Sequence, residues 1–129
     1  MKISIRPKVL VVEDEIKMLA TIMLLLDRSG FDVSGGQTGA EAIQLCRREE
    51  FDLVILDVSL PDKSGYEVCA WLREDFRFNR TPIVFISSFW SESDRQRACE
   101  LGAADCIDKA LDGPAFVQRI ARHLKLPAR

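Results

Sequence analysis

Apolar residues in this chain gather in short unbroken runs, separated by stretches with helical spacing. The clearest run is Leu53-Val54-Ile55-Leu56, with Asp52 before it and Asp57 after it, followed by the breakers Pro61-Asp62 and Ser64-Gly65. Apolar side chains at both odd and even positions predict a strand buried on both faces, as in the middle of a parallel sheet. Lys8 to Glu13 (KVLVVE) repeats the pattern and runs into Glu13-Asp14-Glu15. Ile83 to Ile86, after Pro82, repeats it again and ends in Ser87-Ser88. Phe31 to Ser34 and Ala104 to Asp108 predict two weaker strands, with Gly35-Gly36 read as the turn after the first.

Helices are predicted between these runs. From Glu15 to Ser29, Ile16, Leu19, Met23 and Leu26 share one face, and Gly30 suits a C-cap. Thr38-Gly39-Ala40-Glu41 has the form of a capping box. It opens a helix to about Glu49, with Ala42, Ile43, Leu45 and Cys46 inward. Further helices are expected over about 65–75, over about 92–101 between a Ser91 cap and Gly102, and over about 114–124. The last turns Phe116, Val117, Ile120 and Leu124 inward and stops before Pro127. Alternation of this kind implies an α/β fold with a doubly wound, five-stranded parallel sheet, because right-handed crossovers leave few other arrangements. The strand order expected at this length is 2-1-3-4-5, with its switch point at the carboxyl edge between strands 1 and 3. The expected organisation is a single domain over 1–129, with a core of about 7–125 and 126–129 as a tail or the start of a linker.

Composition narrows the field. A length of 129 residues suits one domain with a core and is too short for two. A net charge of −2 and a pI near 5.4 weigh against direct nucleic-acid binding. The longest oily stretch, Met18 to Leu26, is nine residues, against the ~20 of a membrane span. No charged-then-apolar leader opens the chain, so no membrane association and a cytoplasmic location are expected. The four cysteines (Cys46, Cys69, Cys99, Cys106) show no C-x-x-C pairing, and His123 is the only histidine, so free thiols rather than a Cys/His metal cluster are expected.

The chemistry lies at the strand ends. Strand 1 delivers Glu13 and Asp14 to the carboxyl edge, strand 3 Asp57, strand 4 Ser87 and strand 5 Lys109. Each has an ordinary reading by itself: acids cap a following helix, serines form turns, a lysine is a solvated surface group. Together they make a site. Three carboxylates in one crevice repel one another unless a cation compensates. Oxygen ligands without His or thiolate suit a hard ion, Mg²⁺ or Mn²⁺. A hydroxyl and an ammonium facing that ion make a cradle for a phosphoryl group, and Asp57 is the nucleophile that would form an acyl phosphate.

The motifs VLVVEDE at 9–15, DLVILDVSLPDKSG at 52–65, PIVFISS at 82–88 and ELGAADCIDK at 100–109 resemble the receiver domain of two-component response regulators, of the CheY-like, flavodoxin-like (βα)5 fold. The resemblance covers about 7–125. It implies that Glu13, Asp14, Asp57 and the backbone carbonyl of Ser59 hold Mg²⁺, and that Asp57 takes phosphate from a histidine kinase or phosphotransfer domain. Ser87 and Lys109 would read the phosphorylated state. The face of helix 4, strand 5 and helix 5 would switch toward an output domain, a downstream protein or a dimer partner. Such a chain is no enzyme beyond its own phosphorylation and hydrolysis. Three positions depart from the family pattern: Ala110 stands where Pro usually follows the lysine, Cys106 replaces an aromatic, and Phe89 is large and apolar. Without proline the peptide Lys109–Ala110 is expected to be trans, since cis costs about 2.5–4 kcal/mol there.

Rival readings fit less well. A haloacid-dehalogenase type of enzyme needs a second Asp two residues after the first, where Ser59 stands, and a cap domain for which there is no room. A flavodoxin-like cofactor binder would not place Glu13-Asp14-Glu15 against a phosphate. A phosphorylation-independent interaction module with a relic pocket is the remaining alternative.

Overall fold

The computed structural model of the chain describes residues 6–124. Strands β1 (Lys8–Val12), β2 (Asp32–Gly36), β3 (Leu53–Asp57), β4 (Ile83–Ser87) and β5 (Asp105–Asp108) alternate with helices α1 (Ile16–Arg28), α2 (Gly39–Arg48), α3 (Gly65–Arg73), α4 (Glu92–Glu100) and α5 (Gly113–His123). The strands form one parallel sheet in the order β2-β1-β3-β4-β5.

The strand period of two splits the core into two layers. Leu10, Val12, Val54, Leu56, Ile83 and Phe85 point to one face, where Ala42 and Cys46 of α2, Val68, Cys69 and Leu72 of α3, and Ala98 of α4 cover them. Val9, Val11, Leu53, Ile55, Val84, Ile86 and Ile107 point to the other, against Leu19, Ile22 and Leu26 of α1 and Phe116 and Ile120 of α5. All of β3 is buried, which is why its sequence shows no alternation.

Three local expectations need correction. Gly35-Gly36 is not a turn but the end of β2. A Cβ at Gly35 would lie 2.6 Å from Met23 Sδ, so the missing side chain lets α1 sit directly on this edge strand. Ile16 does not share the buried face of α1. It is 64% exposed, and Ile22 takes that place beside Leu19 and Leu26. The capping box of α2 is half formed: Thr38 Oγ1 accepts from the Glu41 amide at 3.0 Å, but the Glu41 carboxylate reaches back to the amide of Gln37 instead. The boxes at Ser64/Glu67 and Ser91/Asp94 are complete. Gly30 (φ +99°) and Gly102 (φ +74°) adopt the left-handed conformation that ends α1 and α4. Pro127 and the 126–129 tail lie outside the described residues.

Candidate functional site

Every predicted site residue sits at the carboxyl edge of the sheet. Asp57 is the last residue of β3, and Ser87 the last of β4. Glu13 and Lys109 each extend a ladder by one bond, Glu13 N to Gly36 O at 3.0 Å and Lys109 N to Ser87 O at 2.9 Å. The strands therefore fix where these side chains start. Asp14 follows at the mouth, exposed to solvent.

The pocket is a buried charge cluster. Glu13 is 0% and Asp57 3% exposed, and they are the only polar residues buried to that degree among the described residues. The Lys109 ammonium donates to Asp57 Oδ2 at 2.9 Å. It also stands 2.7 Å from Glu13 Oε1, so the one ammonium pairs with both buried acids. Glu13 Oε2 accepts from the Glu15 amide at 3.0 Å, and Asp57 Oδ1 from the Ser59 amide at 3.0 Å. Burial pushes the Glu13 carboxyl above its usual range, more strongly than Lys109 and the Glu15 amide pull it down. Burial works against a charged Lys109 too, but its close contacts with Glu13 and Asp57 raise its pKa overall.

One carboxylate oxygen from each of Glu13, Asp14 and Asp57 lies within 4.8 Å of the others, close enough to converge on one cation. The donor set is all oxygen, and Glu13 Oε1 is a buried acceptor whose near neighbour is the Lys109 ammonium alone, so it is already stripped of water. Among the described residues no backbone amide donates to the Ser59 carbonyl, which leaves it free as a further ligand.

The loop after Asp57 is tightly drawn. Gly65 N donates to Val58 O at 2.8 Å, and Ser59 and Ser64 form an isolated antiparallel bridge. A Cβ at Gly65 would fall 2.2 Å from the Asp57 carbonyl oxygen. Only glycine lets α3 begin so close to the end of β3.

The peptide Lys109–Ala110 is trans, as expected. The Ala110 amide, which a proline would lack, donates to Asp108 Oδ1 at 2.8 Å and shapes the turn that aims the lysine. Ser87 occupies its predicted place, but its hydroxyl is turned to its own loop, donating to Phe89 O at 2.9 Å and accepting from Phe89 N at 3.3 Å. The Phe89 ring is 74% exposed.

Sequence reasoning missed three features. Asp62, read as a turn former, binds the amides of Gly39 and Ala40 at 2.8 and 2.9 Å. Trp90 donates its indole N–H to Ile107 O on β5 at 3.1 Å and packs against the same core layer as Cys106. Asp105 pairs with Arg119 and with His123 Nε2, the latter at 2.8 Å. Despite partial burial, those two partners and the Cys106 amide hold the Asp105 carboxyl below its usual range. Each depends on a partner 14 or more residues away in the chain, and no local pattern announces that.

Residues 9–121 match the response regulator receiver domain family. The polar-differentiation response regulator DivK of Brucella ovis is 30% identical over 116 residues, covering 90% of this chain and 94% of DivK. The chemotaxis protein CheY4 of Vibrio cholerae superposes with a TM-score of 0.90 at 26% identity, covering 93% of this chain and all of that one. The non-phosphorylated HemR receiver domain of Leptospira biflexa gives 0.86 at 31% identity, over 96% and 98% of the two chains. With strand order, strand-end acids and lysine all in agreement, the chain belongs to the response regulator receiver domains, the CheY-like signalling modules of two-component systems.

Proposed function

We propose that this receiver domain takes a phosphoryl group onto Asp57 from the phosphohistidine of a histidine kinase or phosphotransfer domain. The observation that carries the reading is the Asp57 carboxylate itself, 3% exposed at the end of the central strand, with Lys109 Nζ on one oxygen and two further carboxylates in reach. Transfer breaks the phosphorus–nitrogen bond of the donor and forms a phosphorus–oxygen bond to Asp57, returning the electron pair to the imidazole. Lys109 is placed to follow the charge from carboxylate to phosphoryl oxygen. Ser87 is placed to donate to another of those oxygens once its hydroxyl leaves Phe89. Glu13, Asp14, Asp57 and the Ser59 carbonyl would hold Mg²⁺ (or Mn²⁺), which supplies charge neutralisation for the transferring group. A donor of this class places the chain's work in the cytoplasm. The face of α4, β5 and α5 is where the phosphorylated state would be passed to an output domain, a downstream protein or a second copy.

Incubation with Mg²⁺ and acetyl phosphate tests the assignment. A mass gain of one phosphoryl group, absent in Asp57→Asn, is expected. Unmodified wild type would leave the chain as a phosphorylation-independent interaction module.

A further inference from the structure

The segment between β3 and α3 must hold the Ser59 carbonyl in a fixed place, yet it is a surface loop. Its own bonds, Gly65 N to Val58 O and the Ser59–Ser64 bridge, close it on itself. They do not fix it against its other neighbour, the start of α2. That is done by Asp62, whose Oδ1 accepts from Gly39 N at 2.8 Å and whose Oδ2 accepts from Ala40 N at 2.9 Å. These are first-turn amides of α2 that have no partner within the helix. Thr38 serves only the Glu41 amide, so α2 has two N-terminal acceptors, one local and one 23 residues away. The stem of Lys63 lies flat on Gly39, where a Cβ would stand 2.5 Å from Lys63 Cγ. The fit at Gly39 and the paired bonds of Asp62 are separate observations of one junction. The Gly39 and Ala40 amides also hold the Asp62 carboxyl below its usual range, consistent with a permanently ionised acceptor. Among the described residues Asp62 bonds to none of Glu13, Asp14 or Asp57.

We propose that Asp62 is a positioning residue, which by fastening the β3–α3 loop to the amino terminus of α2 sets the place of the Ser59 carbonyl at the metal site. This rests on the phosphoacceptor reading above. Coupling is reciprocal: if the tie favours Mg²⁺, Mg²⁺ tightens the tie, and the start of α2 registers metal binding although no residue of α2 is a ligand.

The test compares Mg²⁺ binding by titration calorimetry in wild type, Asp62→Ala, Asp62→Asn and Thr38→Ala. Asp62→Ala should weaken Mg²⁺ about tenfold, the low end of what loss of a ligand-supporting group costs a metal site. Asp62→Asn should fall between, because its single oxygen can replace only one of the two acceptors. Thr38→Ala removes the local cap of the same helix and should leave the affinity unchanged. Hydrogen exchange at the Gly39 and Ala40 amides should slow on adding Mg²⁺ to wild type and not to Asp62→Ala. If Asp62→Ala binds Mg²⁺ like wild type, or Thr38→Ala weakens it equally, the proposal is overturned. If wild type binds no Mg²⁺ at all, the phosphoacceptor reading fails and the proposal falls with it.

Discussion

Replacing Lys109 by Met isolates the electrostatics of the pocket. The ammonium stands 2.9 Å from Asp57 Oδ2 and 2.7 Å from Glu13 Oε1, and both acids are almost fully buried. Removing one partner of a buried ion pair costs about 3–5 kcal/mol, because the remaining charge stays desolvated. Here the Lys109 side chain is 17% exposed and Asp14 opens to solvent, so water reaches the cluster and the lower figure applies. A loss of about 3 kcal/mol at this chain length lowers Tm by roughly 10 °C. The assay is thermal unfolding by circular dichroism in metal-free buffer, then with saturating Mg²⁺. Mg²⁺ should restore more to Lys109→Met than it adds to wild type, since the ion replaces the missing positive charge. Asp57→Asn in the same background should recover part of the loss, by about 1–3 kcal/mol of coupling. An unchanged metal-free Tm in Lys109→Met, or strictly additive losses in the double variant, would refute the argument.

Gly65→Ala puts a Cβ 2.2 Å from the Asp57 carbonyl oxygen. It should destabilise by about 1–3 kcal/mol and lower acetyl-phosphate labelling of Asp57 even at temperatures where the chain stays folded. Asp105→Asn should cost about 1–2 kcal/mol at neutral pH, allowing for solvent at the rim. Because its partners hold the folded Asp105 below the ordinary aspartate range, its contribution is full above the unfolded value and lost as pH falls through the folded one. The gap to wild type in urea unfolding should therefore close on acidification. The short Ser59 hydroxyl can hold a hydrolytic water only loosely, and the outward Phe89 ring offers no group to aim one, so the acyl phosphate should be long-lived. Phe89→Glu and Ser59→Asn should speed its decay, tenfold for each ~1.4 kcal/mol of barrier, and unchanged or slower decay in both contradicts this. In a Trp71→Phe background, Trp90 emission should respond to beryllofluoride with Mg²⁺, since its indole bridges the β4–α4 loop to β5; a silent Trp90 would count against that link.

The strands and the site were readable together because one signal specifies both. Each apolar run marks a buried strand, and the polar residue that ends it is delivered to the carboxyl edge whatever the details of the helices. Glu13, Asp57, Ser87 and Lys109 all follow from that rule. What failed were features set by distant neighbours. Gly35-Gly36 carries a local turn signal, yet both residues pair with Val11 and Val12 of β1 as strand, and Met23 packs onto the bare backbone of Gly35. Ile16 fits the helical period of α1, but the period does not say where the helix starts to overlap the sheet. Asp62 looks like any loop acid until the Gly39 and Ala40 amides are brought beside it. Ser87 was correctly placed, but its rotamer depends on the Phe89 backbone, and composition says nothing about that.

That rotamer bears on how a receiver with Cys106 in place of an aromatic could still relay its state. Ser87 holds Phe89 through two neutral hydrogen bonds, each worth about 0.5–1.5 kcal/mol, whereas a bond to a charged acceptor is worth about 1.5–3. Against the two bonds together, about 1–3 kcal/mol, a phosphoryl oxygen on Asp57 would therefore compete for the hydroxyl on roughly even terms, which shifts populations without unfolding anything. Release of Phe89 acts directly on Trp90, the next residue, and Trp90 is bonded to the Ile107 carbonyl of β5. The β4–α4 loop thus starts at Ser87, beside the acidic pocket, and is joined to β5 at Trp90, two short links in series. A small residue at 106, on the same core layer as Trp90, therefore removes an aromatic lever without removing the connection.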